Sequence, residues 1–364
     1  MDPKVYWVAL NMVVGVGKTL FHRLVNGLES PEQVFRSSRK DLLQVEGIGE
    51  KVAGEILKFE VDKHVEREWH FIEKLGLKVV TSQCSSYPSL LKEIYDPPPV
   101  LYFKGKDLDQ FQVPLAVVGT RAPTNYGKIV TEALCEGLAS MGVCIVSGFA
   151  RGIDTCAHKK ALQTGGETVA VFGCGLSHTY PPENRYLRDK IIDQGAIVSE
   201  FPVTMRPERN NFPARNRVIS GLSHGTLVIE AGEKSGALIT AQFALEQGRE
   251  VFAVPGNINS SKSRETNRLI KTGAILVDGP ESIVEELSNS VRNYLRPVQG
   301  KAADNKDLTT LEKQIIAVLT KEEKHIDLII ENSRLSPAEV SATLVQLELK
   351  GFVRQFEGKL FVVV

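Results

Sequence analysis

Between residues 113 and 256 the chain switches repeatedly between two apolar patterns. Short continuous runs, rich in β-branched residues, read "PLAVVG", "VCIVSG", "TVAVFGCG", "AIVSE", "GTLVIEAG" and "EVFAVPG". Between them lie "GKIVTEALCEGLASMG", "GIDTCAHKKALQTGG", "PENRYLRDKIIDQG" and "GALITAQFALEQG", where apolar residues recur at helical spacing. Unbroken runs are what strands covered on both faces look like, so the pattern predicts a parallel sheet with helices on each side. That is an α/β fold of the extended Rossmann-like, doubly wound type. Ahead of it, residues 60–75 are expected to be helical and "LKVVTS" a strand. Pro97, Pro98 and Pro99 forbid helix and lead an extended path into "VLYF".

At the amino end the chain repeats itself. "VVGVGKTLFHRLV", residues 13–25, aligns with "VEGIGEKVAGEIL", residues 45–57, at an offset of 32. Gly15-Val16-Gly17 is matched by Gly47-Ile48-Gly49, and Leu20, Leu24 and Val25 by Val52, Ile56 and Leu57. A Gly-apolar-Gly turn followed by apolar residues at helical spacing predicts a tight turn between two short helices. In tandem this resembles the helix-hairpin-helix motif and predicts a helical, SAM-like domain over 1–62. Gly17-Lys18-Thr19 also has the ending of an ATP-binding phosphate loop. Met12 stands where that loop needs glycine, and Glu50 replaces the lysine in the repeat, so the ATP reading falls. The turns then either meet a nucleic-acid phosphate through their amides or only pack. Glu46 and Glu50 beside the second turn oppose phosphate, and Lys18 is expected as a minor phosphate contact.

At the carboxyl end the periodicity is lost over 288–307, which reads as a linker. Beyond it "TLEKQIIAVL", "HIDLIIENS" and "SPAEVSATLVQLELKG" predict three helices, and "FVRQFEGKLFVV" a hairpin. Together they make a winged-helix module over 308–364, leaving 63–287 as the central domain. Ser336, Pro337 and Glu339 form a strong helix start. The module carries seven Lys or Arg against eight Asp or Glu, and its third helix has Lys350 as its one base. That favours protein contact over duplex reading.

Composition narrows the classes. A chain of 364 residues with 42% apolar content has room for two or three ordinary domains. Zero net charge excludes a surface coated in positive charge but allows a local basic groove. Cys84, Cys135, Cys144, Cys156 and Cys174 are scattered without a C-x-x-C pair, against a disulfide scaffold or a zinc site. No apolar run approaches the ~20 residues of a membrane span, and no signal-peptide pattern is present, so a cytoplasmic location without membrane contact is expected.

Candidate chemistry gathers at the carboxyl ends of the predicted strands. Gly119, Gly148, Gly173 with Gly175, Gly232 and Gly256 stand there, an arrangement suited to an anionic ligand at the edge of such a sheet. The dinucleotide fingerprint is absent: Arg121 occupies the second glycine position, and "GCG" at 173–175 lacks its third glycine. No nicotinamide, flavin or other cofactor is therefore expected. Arg121, Arg151, Arg215, Arg217, Lys262, Arg264, Arg268 and Lys271 follow those strand ends, with Phe212 among them just before a predicted helix. Spaced cations with an aromatic ring are what a nucleic-acid strand requires. The competing reading is internal salt bridging for Arg215 and Arg217 and plain packing for Phe212. Asp154 and His158, at i and i+4 of a predicted helix, are expected to meet as a buried pair rather than act as acid and base. With no nucleophile elbow and no paired carboxylates, no catalytic or metal-binding residue is assigned.

The segments "VVGTR", "SGFARGIDTCAH", "AVFGCGLSHTYPPEN", "FPARNRVISGLSHGTLVIEAGEKSGALITA" and "GREVFAVPG" follow in order between residues 80 and 290. They resemble the DprA (Smf) family of bacterial DNA-processing proteins. The resemblance implies a domain that binds single-stranded DNA, a homodimer, and a non-enzymatic mediator that loads the RecA recombinase, above all in natural transformation. The family's G-[ST]-R segment falls on Gly119 and Arg121, and its F-x-x-R-N-R segment on Phe212, Arg215, Asn216 and Arg217. Its phosphate pocket falls on the turns at Ser147-Gly148 and Gly173–Gly175. Arg151, Ser235, Gly236, Lys262 and Arg264 complete the expected DNA-binding set. One departure is Glu265 in "ETNRLIKTGA", where the family has glycine; a carboxylate there would weaken phosphate contact. Two other classes are a phosphoribohydrolase-like enzyme, vaguely similar in "SHGTLVIEAGEKSG", and a winged-helix regulator. The missing carboxylate pair opposes the first and the acidic third helix opposes the second.

Overall fold

The internal repeat folds as two helical hairpins in the computed structural model of the chain, which describes residues 4–296, 308–319, 323–350, 352–356 and 358–363. The first pairs α1 (Lys4–Met12) with α2 (Lys18–Leu28). After α3 (Pro31–Arg36), the second pairs α4 (Arg39–Gln44) with α5 (Glu50–Lys58). Gly15 and Gly47 carry φ of 89° and 86° at the two turns, a backbone that side chains rarely adopt, which is why the glycines recur. α6 (Val61–Leu75) follows and stops at Gly76, φ 61°.

The central sheet has nine strands. In chain order they are β1 (Lys78–Thr81), β2 (Val100–Gly105), β3 (Pro114–Val118), β4 (Cys144–Ser147), β5 (Thr168–Val171), β6 (Ala196–Ser199), β7 (Gly225–Val228), β8 (Glu250–Ala253) and β9 (Ile275–Leu276). In space they run β1-β2-β6-β5-β4-β3-β7-β8-β9, with β3 to β9 parallel and β1 and β2 antiparallel at one edge. α7 (Ser89–Lys92) precedes β2, while α8 (Asn125–Ser140), α9 (Ile153–Gln163), α10 (Arg185–Gln194), α11 (Asn211–Gly221), α12 (Gly236–Glu246) and α13 (Arg264–Lys271) connect the parallel strands. α14 (Pro280–Glu286) and α15 (Asn289–Arg292) close this part. The continuous apolar runs are explained by alternation: Leu115 and Val117 share a core with Leu134 of α8 and Ala157 of α9, while Ala116 and Val118 join Val218 of α11 and Ala241 of α12.

The amino-terminal hairpins are continuous with this body. Trp7, Leu10, Phe21 and Leu24 share one core with Phe149, Phe172, Leu187 and Ile197. Residues 1–298 form one compact unit and 299–364 a second. The segment expected as a linker opens with α15, whose Val291 is buried; residues 297–307 lie outside the described residues.

The second unit contains α16 (Thr310–Val318), β10 (Lys324–His325), α17 (Ile326–Ser333), α18 (Pro337–Leu349), β11 (Val353–Phe356) and β12 (Leu360–Val363). Its antiparallel sheet runs β10-β12-β11. Thr309 with Glu312 and Ser336 with Glu339 form capping boxes at the starts of α16 and α18. Ile315, Ile329, Val340, Leu344 and Phe361 make its core. Three helices and a two-stranded wing give the winged-helix arrangement the sequence predicts.

Candidate functional site

Strand order reverses at β3: β4 and β5 lie on one side of it, β7 and β8 on the other. Doubly wound sheets bind ligands outside the carboxyl ends of the strands at such a switch point. A groove of about 820 Å³ opens there. The turn after β3 supplies Gly119, Thr120 and Arg121, and α11 with its lead-in supplies Arg209, Phe212, Arg215 and Asn216. The far wall is the turn Gly232–Gly236 at the start of α12, with Lys262 beyond it. Gly148 and Arg151 line a small adjoining recess with Tyr180.

Arg215 forms the floor. It is 4% exposed, and its Nη1 donates to the carbonyls of Val171 and of Gly148, the latter at 2.6 Å. Its Nε donates to Asn216 Oδ1 at 3.2 Å. Burial pulls the guanidinium down to about 10, against the opposing charge of Asp154, so it stays cationic at neutral pH. Burial likewise raises the Asp154 carboxyl above its usual range, opposed by Arg215 and by amide bonds from Ala150 at 3.2 Å and Gly148 at 3.1 Å. Phe212 is half-buried near two cations, its ring centre 5.8 Å from the Arg121 guanidinium carbon and 5.9 Å from that of Arg215. Tyr180 packs beside it at 5.4 Å.

Strand-end glycines suit close approach of a phosphate, but most of these are filled by the protein itself. A Cβ on Gly119 would lie 2.5 Å from Ile153, one on Gly173 2.7 Å from Phe212, and one on Gly175 2.2 Å from backbone oxygens. Gly148 is closed by Asp154 and Arg215, and Gly256 by Ser263. A Cβ on Gly236 would meet open space, and one on Gly232 would meet nothing nearer than the Ser261 carbonyl oxygen at 3.8 Å.

Helix amino termini attract anions, and those of α8, α9 and α12 are treated differently. At α8 the carboxylate of Glu230 accepts from the Thr124 amide at 2.9 Å and from the Thr124 hydroxyl at 2.5 Å. Glu230 thereby satisfies the start of α8 from within the protein. At α9 no side chain caps the helix, and Asp154 of its first turn accepts instead from the Gly148 and Ala150 amides of the preceding loop. At α12 there is no acid in the first turn, Ser235 caps the helix, and Lys234 stands beside it. The open helix start along the groove is therefore that of α12, and Glu233 in the same turn is paired with Arg264.

Several expected site residues lie elsewhere. α11 begins at Asn211, so Phe212, Arg215 and Arg217 are in the helix rather than ahead of it. Residues two apart on a helix are rotated by ~200°, and Arg217 accordingly points away from Arg215. Its Nη2 lies 2.5 Å from Glu200 Oε2 and its Nε 3.3 Å from Asp96 Oδ2, in the interior. Lys18 joins that cluster, 2.9 Å from Glu200 Oε2, and is not at a phosphate-facing surface. Ser147 is buried and donates to the Val117 carbonyl at 2.6 Å. Arg151 pairs with Glu183, and Arg264 with Glu233. Glu265 is mostly covered, 3.7 Å from Arg268, and does not line the groove. Asp154 and His158 do not pair: His158 Nδ1 lies 2.7 Å from Thr168 Oγ1, and burial pulls the imidazole down to about 3, keeping it neutral. Sequence reasoning missed Arg209, Lys234 and Tyr180. Lys234 carries a legible signal, a lysine inside the "GEKSG" turn; Arg209 and Tyr180 are brought in by loop paths alone.

Fold and site define a class: a doubly wound α/β protein with a cationic crevice at its switch point, accompanied by helix-hairpin-helix and winged-helix elements. Among the described residues no helix is long and apolar enough to cross a membrane, and no cluster of His, Cys, Asp or Glu could hold a metal ion. The chain belongs to the DNA recombination-mediator protein A family, whose profile matches residues 78–288. Residues 299–359 match the DprA winged helix domain, and 30–59 the helix-hairpin-helix motif. The chain is 36% identical to Protein Smf of Synechocystis sp. over 97% of both chains. It resembles the X-ray structure of DNA processing protein A from Streptococcus pneumoniae with a TM-score of 0.70 at 35% identity, over 79% of this chain and 98% of the other. DNA processing protein A from Helicobacter pylori, solved for its single-stranded DNA binding mode, matches with a TM-score of 0.52 at 31% identity, over 57% of this chain and 94% of that one.

Proposed function

We propose that the groove binds single-stranded DNA and that the protein, as a cytoplasmic homodimer without a catalytic step of its own, loads a RecA-type recombinase onto that strand in natural transformation. The observation that carries the DNA reading is Phe212, its ring centre 5.8 and 5.9 Å from the Arg121 and Arg215 guanidinium carbons, lining one groove with Lys234 and Lys262. A base can reach such a ring only when it is unstacked, which a duplex does not offer. The likeness to the Helicobacter pylori protein supports the same reading.

Titration of oligothymidylate against duplex of equal length, over a salt series, tests it. Arg121, Arg209, Lys234 and Lys262 are the cations along the open groove. At about −0.7 per phosphate contact, the log–log salt slope should be about −3. Affinity that ignores salt, or that favours duplex, overturns the reading. Arg121→Ala should weaken binding about tenfold and make the slope shallower by ~0.7, with an unchanged melting temperature because the side chain is exposed. Phe212→Ala should cost about 1–3 kcal/mol of affinity and leave the slope as it is, since a stacked base releases no counterion. Isothermal titration of both variants separates the charge contribution from the ring's.

A further inference from the structure

Lys18 is the first residue of α2, directly after the first hairpin turn, the place from which a hairpin would meet a nucleic-acid phosphate. It turns inward instead. Glu200 Oε2 receives both Lys18 Nζ, at 2.9 Å, and Arg217 Nη2, at 2.5 Å. Arg217 Nη1 donates to the Asp96 carbonyl at 2.6 Å, and its Nε faces the Asp96 carboxylate at 3.3 Å. Two further hydrogen bonds tie the same hairpin to backbone at and beside this cluster. Asn11 Nδ2 donates to the Glu200 carbonyl at 3.4 Å, and His22 Nε2 lies 2.9 Å from the Pro97 carbonyl. The cluster holds two cations and two carboxylates, and Arg217 sits on α11 two residues after Arg215 and five after Phe212.

We infer that the first hairpin is an intramolecular clamp on α11, with Lys18 a positioning residue that sets single-stranded DNA affinity through Phe212 and Arg215 without touching DNA. The inference rests on the DNA reading of the groove. Its argument is charge balance in a close-packed interior. Without the ammonium, two carboxylates face one guanidinium, and Glu200 already has Oε1 buried without a hydrogen-bond partner. The imbalance is relieved by moving Arg217, which is fixed to α11, and a packed interior passes that shift along the helix to Arg215 and Phe212.

The test is oligothymidylate titration of the full chain over a salt series, with Lys18→Met, Lys18→Arg and the double variant Asn11→Ala, His22→Ala. Lys18→Met should bind about tenfold weaker at every salt concentration, the scale of coupling between contacting groups. Its slope should equal that of the unaltered chain. Lys18→Arg should recover most of the loss, because a guanidinium reaches the same carboxylate. The double variant keeps all four charged groups of the cluster and should weaken binding with the slope unchanged; it decides the matter if Lys18→Met does not fold. A slope shallower by ~0.7 in Lys18→Met marks Lys18 as a phosphate contact and overturns the clamp. So does a reduced titration stoichiometry with full affinity in the folded fraction, the mark of a merely structural role. If the unaltered chain binds and the variants match it, the clamp alone is lost; if the unaltered chain does not bind, the DNA reading falls with it.

Discussion

Arg215→Ala is expected to destabilise the fold by about 3–5 kcal/mol and to remove measurable single-stranded DNA binding at physiological salt. The guanidinium is 4% exposed and satisfies the carbonyls of Gly148 and Val171 at the ends of two adjacent strands. Truncation leaves both acceptors without that donor and Asp154 as a buried carboxylate without its nearby cation. Phe212 also loses one of its two flanking guanidinium groups. Arg215→Lys should recover little, since one ammonium cannot reproduce a planar fork. Urea unfolding measures the stability change, and its pH dependence identifies the cause. The Asp154 carboxyl is raised in the folded state, so folding takes up a proton there, and its contribution to stability falls as pH rises from ~3.9 through the raised value. Loss of Arg215, whose charge opposes that rise, widens the window upward. The deficit of Arg215→Ala should therefore be smallest near pH 4 and grow toward neutrality; a deficit independent of pH would assign the loss to the orphaned carbonyls alone.

The sheet was legible because each strand is buried on both faces, which leaves an unbroken apolar run such as Leu115–Val118. The hairpins were legible because Gly15 and Gly47 answer one backbone demand twice. The groove was legible in position, since strand ends in a doubly wound sheet converge on one edge, but not in its internal assignments. Whether a strand-end glycine admits a ligand depends on which distant side chain fills the space, and nothing near Gly173 announces Phe212. The plug at α8 has the same character: Glu230 caps Thr124 across 106 residues of chain. Rossmann topology is visible in periodicity, whereas the capping of α8 by a carboxylate from another strand end is a tertiary fact.

The arginines of "ARNR" make the same point as a measurement. Arg217→Ala should destabilise the protein by about 3–5 kcal/mol, as loss of one partner from a buried ion cluster does, and should leave the salt slope of DNA binding unchanged. Arg121→Ala should do the reverse, lowering the slope with stability intact. The two differ because Arg121 is exposed at a turn, while Arg217 is held by Glu200, Asp96 and the Asp96 carbonyl. A cycle with Glu200→Gln isolates the electrostatic part. Once Glu200 is neutral, removing Arg217 no longer strands its carboxylate, and Lys18, 24% exposed, can turn to water. The double variant Arg217→Ala, Glu200→Gln should therefore be more stable than the sum of the single losses predicts, by about 1–3 kcal/mol. Strict additivity would mean that Arg217 contributes by packing alone. A shallower salt slope in Arg217→Ala would return this residue to the groove, with α11 turned by about half a revolution from the arrangement described.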